Sequence, residues 1–196
     1  MPSRSSAATL ASMSPAIKPP TYHPYDQLTG LPVRQTFIDA LEVLLTETRT
    51  GHIVVGSIDI DRFVTVNHGD GWFVADRLLL DLSEVLKGSV PQPGCVMRQG
   101  DAFLFAMAVA DRDGLQGFGA HLLRQVQPAL DRASSPAVLQ ELSRLPTPRT
   151  SLTATVALVS AELPGRCTFD RLTAAVDQAM LEGKATGGGR VVVSEL

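Results

Sequence analysis

The sequence Arg-Gln-Gly-Asp-Ala-Phe-Leu-Phe at residues 98–105 lies at a break between two apolar runs, Gly94–Met97 and Phe103–Ala110. A small flexible residue, Gly100, is followed there by an acid, Asp101, and this pattern predicts the tip of a β-hairpin that carries a carboxylate. A hairpin brings antiparallel strands together, whereas the flanking segments have the periodicity of helices. The stretch therefore predicts a mixed sheet covered by helices.

A second acidic strand end is predicted earlier in the chain. Residues His52–Ile60 are rich in Val and Ile, as in a buried strand, and lead into Asp59-Ile60-Asp61. Two acidic strand ends in one small α/β domain favour a site for a divalent metal and a phosphate group, because such ions prefer oxygen ligands. On the residues alone, solvated carboxylates at strand ends remain the simpler explanation.

The composition is typical of a globular protein with one domain. The chain has 196 residues, 44% of them hydrophobic and 19% charged, which is enough for a sizeable core. The net charge of −3 argues against nucleic-acid partners and against binding to an anionic membrane. No apolar run approaches the roughly 18–20 residues of a membrane-spanning helix. Cys95 and Cys167 have no metal-type spacing and are expected to be buried free thiols.

The N-terminal segment, Met1–Pro20, is rich in Ser, Ala and Pro and lacks the apolar stretch of a signal peptide. A disordered tail is predicted over residues 1–21, followed by one domain over residues 22–196. A cytoplasmic location is the resulting expectation.

Periodicity along the domain predicts the element order α-β-α-β-β-α-β-α-β. The helices and the two further strands are expected at Val33–Thr48, Trp72–Lys87, Asp113–Arg132, Ser151–Ser160, Phe169–Gly183 and Arg190–Ser194. Asn67–Gly71 and Gly187–Gly189 are predicted turns, and residues 134–150 a loop with at most one helical turn within Val138–Leu145. The predicted fold class is α/β, with a central mixed, mostly antiparallel sheet of about five strands surrounded by helices.

Four stretches of this sequence resemble the motifs of the GGDEF domain of diguanylate cyclases, and the resemblance extends over residues 22–196. They are Asp26–Arg34 (similar to D-x-L-T-G-L-P-N-R), Asp59–Asn67 (similar to D-x-D-x-F-K-x-x-N), Gln99–Phe103 (aligned with G-G-D-E-F) and Asp177–Lys184 (similar to the A-D-x-A-L-Y-x-A-K helix from its Asp onward). The resemblance implies a fold like that of nucleotidyl cyclases and a role in cyclic di-GMP signalling.

The resemblance implies a magnesium site between two strand ends. Asp59 and Asp101 match the family's carboxylate ligands, and the backbone carbonyl of Ile60 is expected to be a third ligand. Asp101 is also the predicted catalytic residue, since it occupies the third position of the signature.

The resemblance also implies a guanine-nucleotide site. Asn67 and Asp76 match the residues that read guanine, because an amide and a carboxylate suit the donors of its N1–H and N2–H₂ edge. Phe63, Gly100 and Lys184 are further predicted nucleotide-binding residues. On the residues alone, Asn67 is a turn residue and Asp76 an acid favoured by the dipole in the first turn of a helix.

Several positions depart from the family pattern. Gln99 replaces the first Gly of the signature and is expected to crowd the nucleotide or to need a strained turn, and Ala102 replaces its Glu. Val64 and Gly188 replace two cations that hold phosphates in the family, and Arg190, two positions after Gly188, is a candidate partial substitute for the second. The family's inhibitory R-x-x-D site is absent from residues 90–93. Trp72, in place of a His, is expected to pack at the start of its helix.

These losses predict a degenerate GGDEF domain that has weak or no cyclase activity, binds GTP or another guanine nucleotide with Mg²⁺, and acts through a protein partner. Two alternatives stay open. One is an active diguanylate cyclase that converts two GTP to cyclic di-GMP across a homodimer. The other is an interaction module without nucleotide, which docks through residues 134–150 or through the tail.

Overall fold

The structure, a computed structural model, describes residues 23–66, 72–135, 151–165 and 167–196. The helices of these ranges are α1 (Arg34–Glu47), a short 3₁₀ helix (Phe63–Thr65), α2 (Trp72–Ser89), α3 (Leu115–Ala133) and α4 (Phe169–Ala185). The strands are β1 (Gly51–Asp61), β2 (Gly94–Gln99), β3 (Ala102–Val109), β4 (Thr153–Leu163) and β5 (Val191–Glu195). This is the predicted element order, with boundaries that differ by a few residues.

The strands form one mixed sheet in the order β2-β3-β1-β4-β5. The central strand β1 pairs antiparallel with both β3 and β4, and β2 and β3 form the predicted hairpin. The edge strand β5 joins β4 in parallel. The predicted fold class, a mostly antiparallel sheet of five strands surrounded by helices, is confirmed.

A helical layer covers each face of the sheet, which explains why β1 is apolar on both sides. Successive residues of a strand point to opposite faces, so Val54 and Ile58 pack in the cluster that contains α2 and α3. Ile53 and Val55 pack instead in the cluster that contains α1 and α4. The two cores lie on opposite faces of the sheet, and the site residues lie at one end of it.

Differences from the predicted boundaries follow from strand pairing. The strand predicted at Ser151–Ser160 runs to Leu163, because β4 pairs with β1 over its whole length, up to Gly51 opposite Leu163. The last strand begins after Arg190 and ends at Glu195. The predicted tail over residues 1–21, the turn Asn67–Gly71 and the loop from residue 136 to 150 lie outside the described residues.

The two cysteines are free, but each is only partly buried, so the expectation of buried thiols is wrong in degree. Cys95 lies on the edge strand β2, where one side has no neighbouring strand among the described residues. Burial still raises the pKa of its thiol to about 11. No helix in the described ranges is both long enough and apolar enough to cross a bilayer.

Candidate functional site

The predicted hairpin tip is a two-residue loop. Gln99 pairs with Ala102, which leaves Gly100 and Asp101 as the connecting residues. Gly100 has a φ of 68°, as the first central residue of a type II′ hairpin requires. Gln99 is an exposed strand residue and does not have a positive φ, so the expected strained turn at Gln99 is wrong. The chain keeps glycine at position 100, where the positive φ occurs.

Arg98 ties this hairpin to the loop that precedes α1. Its Nε and Nη2 donate to the Asp26 carboxylate at 3.0 and 2.6 Å, and its Nη1 donates to the carbonyl of Gly100 at 2.6 Å. Thr29 donates to the same carboxylate from its backbone N and from Oγ1. Partial burial alone raises the pKa of Asp26, but the bonds from Arg98 and Thr29 outweigh it and lower the pKa to about 2.

Arg98 was not among the predicted site residues. Its side chain lines the pocket described below, and its partner Asp26 lies 72 residues away in the chain. The sequence signal for the pair was limited to an arginine beside the signature and an acid in the first motif. Nothing in the spacing pairs the two, because the contact depends on how the α1 loop folds onto the sheet.

A cavity of about 440 Å³ opens beside the hairpin tip, a size in the usual range for small-molecule sites. It is lined by Phe63, Val64, Ala75, Asp76, Leu79, Arg98, Gly100 and Asp101. The structure thus brings together four predicted site residues that come from the 3₁₀ helix, α2 and the hairpin. Asn67, the other predicted guanine reader, lies outside the described residues.

Asp76 lies within α2 rather than in its first turn, which holds no acidic residue. The alternative explanation of Asp76 by the helix dipole is therefore wrong, because that effect is confined to the first turn. Asp76 instead lies on the wall of the cavity, and a role there has to account for it.

Asp59 lies on β1 beside the hairpin, opposite Ala102 on β3 and Thr155 on β4. Lys184, in the last turn of α4, places its Nζ 2.5 Å from Asp59 Oδ1. Burial raises the pKa of Asp59; the bond and charge of Lys184 oppose this, and the charges of Asp101 and Asp61 add to it. Asp59 and Asp101 are therefore close enough for their charges to interact, although only Asp101 lines the cavity.

Asp61 is held in a separate network. Its Oδ2 accepts from Thr153 Oγ1 at 2.7 Å and from the backbone N of Gly189 at 2.8 Å, and its Oδ1 accepts from Thr155 Oγ1 at 2.8 Å. These bonds join β1 to β4 and to the turn after α4. The carboxylate therefore has a structural role.

The same network explains the glycine at position 188. Gly188 has a φ of 72°, and a Cβ on it would lie 2.6 Å from Asp61 Oδ2. A phosphate-binding arginine cannot be placed there unless the turn or the Asp61 side chain moves. Arg190 does not compensate in this geometry, because its Nη2 and Nε donate to the carbonyls of Thr186 and Gly188 at the end of α4.

Trp72 begins α2 as expected, but its packing is local. Its ring stacks on Phe73 at 3.5 Å between centroids, and the two side chains are 50% and 67% exposed. Val64 on the cavity wall is 61% exposed. Val64 thus presents an apolar side chain at the cavity, and Trp72 and Phe73 present a pair of apolar rings at the start of α2.

The donor set at the sheet end fits magnesium. Carboxylate oxygens are the ligands that Mg²⁺ prefers, and the ammonium of Lys184 on Asp59 shows that a cation is stabilised there. In the ranges that the structure describes, no three acidic, His or Cys side chains converge on one point. Magnesium sites commonly use one or two carboxylates and complete the shell with water and ligand oxygens, which suits Asp59 and Asp101.

The chain matches the family described as "Diguanylate cyclase, GGDEF domain" over residues 23–190, and it belongs to this family. The sequence prediction of the family is thereby confirmed, and with it a place in the cyclic di-GMP signalling family.

Individual relatives are more distant. The chain is 25% identical over 103 residues to the cyclic di-GMP phosphodiesterase PdeR of Escherichia coli (strain K12), and 34% identical over 90 residues to the signaling protein YkoW of Bacillus subtilis (strain 168). These matches cover 52% and 44% of this chain but 16% and 11% of the relatives, so the chain spans a small part of their length.

Among solved structures, the fold is similar to that of the diguanylate cyclase SiaD from Pseudomonas aeruginosa, determined in complex with its activator SiaC. The TM-score is 0.64 and the identity 24%, over 86% of this chain and 61% of that one. At this identity the likeness shows the fold alone.

Proposed function

We propose that this protein is a degenerate GGDEF domain that binds a guanine nucleotide with Mg²⁺, has weak or no cyclase activity, and acts through a protein partner. The observation that carries the proposal is an imbalance within the site. The cavity keeps Asp76 and Asp101, whereas the positions of the phosphate-binding cations hold Val64 and Gly188.

The part of the cavity around Asp76 and Phe63 supports guanine as the ligand. Asp76 offers carboxylate oxygens at the cavity wall, and guanine presents two neighbouring donors, N1–H and N2–H₂, that such oxygens accept. Phe63 adds an apolar wall. Adenine presents a different edge, with an acceptor at N1, so the carboxylate discriminates between the two purines.

The residues at the family's phosphate-binding positions support weak binding of a triphosphate. Val64 is exposed and uncharged, and Arg190 is bound to backbone carbonyls. Each charge-assisted hydrogen bond missing from a phosphate costs on the order of 1.5–3 kcal/mol. With Lys184 as the remaining matched cation, we expect the affinity to come mainly from the base and the metal.

Turnover is disfavoured at the hairpin. In diguanylate cyclases the 3′-oxygen of one GTP bonds to the α-phosphorus of a second, pyrophosphate leaves, and two half-sites meet in a dimer. Mg²⁺ held by Asp59, the Ile60 carbonyl and Asp101 would supply stabilisation of the developing charge. Ala102 brings no carboxylate opposite Asp59, and a missing acid–base group costs on the order of 10²-fold in rate.

Calorimetry with GTP and Mg²⁺ tests binding directly. We expect heat with GTP but not with ATP, and a loss of affinity of about tenfold or more in Asp76→Asn, which turns an acceptor into a donor. Asp39→Asn, an exposed acid on α1, is the matched control and should bind as the wild type does. Absence of heat at millimolar GTP would contradict the binding part of the proposal.

Chromatography of long incubations with GTP and Mg²⁺ or Mn²⁺ tests the alternative of an active cyclase. We expect little or no cyclic di-GMP at high enzyme concentration. Product at the rate of an ordinary enzyme would show that Ala102 and Gln99 are tolerated.

The exposed apolar surface of Val64, Trp72 and Phe73 favours a second candidate, an interaction module that needs no nucleotide. Patches of this kind on a folded domain are typical of contact surfaces. The double change Trp72→Ser with Phe73→Ser should then abolish capture of a partner, whereas Asp76→Asn should not. The opposite pattern would favour partner binding that depends on nucleotide.

A further inference from the structure

We propose that Lys184 is an internal competitor for the metal. Its ammonium binds Asp59 Oδ1, so a divalent ion that binds this oxygen must displace it. The displaced side chain then becomes available to an anionic group of the ligand. This inference rests on the proposed metal site, and it adds an exchange between two cations that the family motifs do not describe.

The geometry brings the two groups into direct contact. Lys184 Nζ lies 2.5 Å from Asp59 Oδ1, and the Asp59 side chain is 17% exposed against 39% for Lys184. The carboxylate is thus the more enclosed partner, and a cation that reaches its oxygen from the sheet end takes the same position as the ammonium. A divalent ion and an ammonium cannot share that position, because like charges at contact distance repel strongly.

The backbone of Lys184 is held in place by close packing, whereas its side chain is held by its contact with Asp59. The preceding residue, Gly183, packs so close to β4 and β5 that a Cβ on it would lie 2.7 Å from Thr155 Cγ2 and 3.1 Å from Val192 Cγ2. The end of α4 is therefore fixed beside Asp59, which pairs with Thr155. A lysine ammonium on its four-carbon chain can leave the carboxylate without any shift of the helix.

The surrounding charge explains why a cation is needed at this position. Asp101 and Asp61 both add negative charge at Asp59, on top of its burial. Asp61 is already bound to Thr153, Thr155 and Gly189, which makes it a poor alternative partner for the ammonium. Whichever cation binds Asp59 Oδ1 relieves this repulsion, so a metal ion and the ammonium of Lys184 compete for this oxygen.

A coupling between metal and anion follows. Lys184 bound to Asp59 is not available to a phosphate, and metal binding releases it. The metal and an anionic ligand should therefore each raise the affinity for the other, since coupling free energies are reciprocal. This coupling adds to any direct bond between metal and phosphate.

The test is calorimetric titration of the full chain with Mn²⁺ alone, without nucleotide. In Lys184→Gln the competing ammonium is gone, and we expect Mn²⁺ to bind about tenfold more tightly than in the wild type, the equivalent of about 1.4 kcal/mol. Arg190→Gln is the matched control, because it removes the same charge from the adjacent turn, where Arg190 donates to the carbonyls of Thr186 and Gly188 and not to Asp59. We expect it to change the Mn²⁺ affinity by less than about threefold.

Three outcomes would overturn the proposal: equal Mn²⁺ affinity in Lys184→Gln and the wild type, an equal gain in Arg190→Gln, or no Mn²⁺ binding by either protein. The second outcome would assign the gain to charge at a distance. Binding of GMP without metal is measured in parallel. Because it tests the guanine site alone, it separates these three outcomes of the Mn²⁺ titration from failure of the proposed guanine site. Unfolding curves of both variants verify that they are folded.

Discussion

Two aspartates of β1, two positions apart, have different surroundings. Asp61 accepts hydrogen bonds from two threonines of β4 and from the backbone after α4, which fixes both of its oxygens. Asp59 contacts the ammonium of Lys184 and lies within the electrostatic reach of Asp101. Asp59 is therefore suited to exchange partners with a ligand, whereas Asp61 holds the turn that shapes the site.

Position 188 gives a prediction at the scale of one residue. Gly188→Arg, which restores the family side chain, should destabilise the protein by about 2 kcal/mol without improving GTP affinity, because a side chain at this φ is strained and its Cβ meets Asp61. Val64→Lys is the matched control, since Val64 is exposed. It should be tolerated and should strengthen GTP binding. Thermal unfolding and calorimetry check both, and a stable Gly188→Arg would show that the turn adapts.

The pKa of Asp26 predicts a pH dependence of stability. Because that pKa is lowered from 3.8 to about 2, the ionised group contributes stability that is fully present above pH 3.8 and is lost as the pH falls towards 2. Asp26→Asn should cost roughly 1–2 kcal/mol at neutral pH, after allowance for solvent screening, and almost nothing near pH 2. Urea unfolding across this range, with Asp39→Asn as control, gives the measurement. A cost independent of pH would contradict the assignment.

At the scale of elements, α3 and α4 approach the sheet through glycines. Gly119 lies on the buried face of α3, and a Cβ on it would lie 2.4 Å from Val191 Cγ1 on β5. Gly183 has the same function in α4. Close approach of α3 and α4 to the sheet explains how these two helices form despite their glycines, since packing outweighs the low intrinsic helix propensity of glycine.

Two glycines of α3 form a matched pair of tests. Gly119→Ala should destabilise the protein by about 1–3 kcal/mol, because the added methyl group overlaps a stiff valine side chain. Gly117→Ala, in the same helix with nothing within 4 Å of the added Cβ, should stabilise it by up to about 1 kcal/mol. Denaturant unfolding of both variants measures these changes in the free energy of unfolding. Equal effects would mean that α3 moves away from β5 at little cost.

At the scale of the whole molecule, the bonds of Arg98 to Asp26 and to Gly100, called here the Arg98 clamp, join the start of the domain to the hairpin tip. Asp26 belongs to the loop before α1, and Gly100 belongs to the connection between β2 and β3. The side chains of both charged partners are largely shielded from solvent. The wall of the cavity is thus held by residues from distant parts of the chain, and its shape depends on the α1 loop.

Arg98→Ala should therefore loosen two distant segments together. Hydrogen exchange should become faster at the Thr29 amide and in the loop around Asp26, and also at the hairpin tip, while α3 stays protected. Arg132→Ala, which removes an ion pair with Asp81 on the outer surface of α2 and α3, is the control and should leave both segments unchanged. Faster exchange in the hairpin alone would show that Asp26 does not depend on the clamp.

The sequence by itself determined the fold class, the family and the identity of most candidate site residues. Alternation in strands and the 3–4 spacing in helices are local signals, and motif residues such as Asp59 and Asp101 keep their order in the chain. The tertiary structure decided which side chains meet. The pairs Arg98–Asp26 and Lys184–Asp59 join residues 72 and 125 positions apart, and a side chain at position 188 would meet Asp61 on another element. Such contacts depend on the three-dimensional packing of separate elements, which no local pattern encodes.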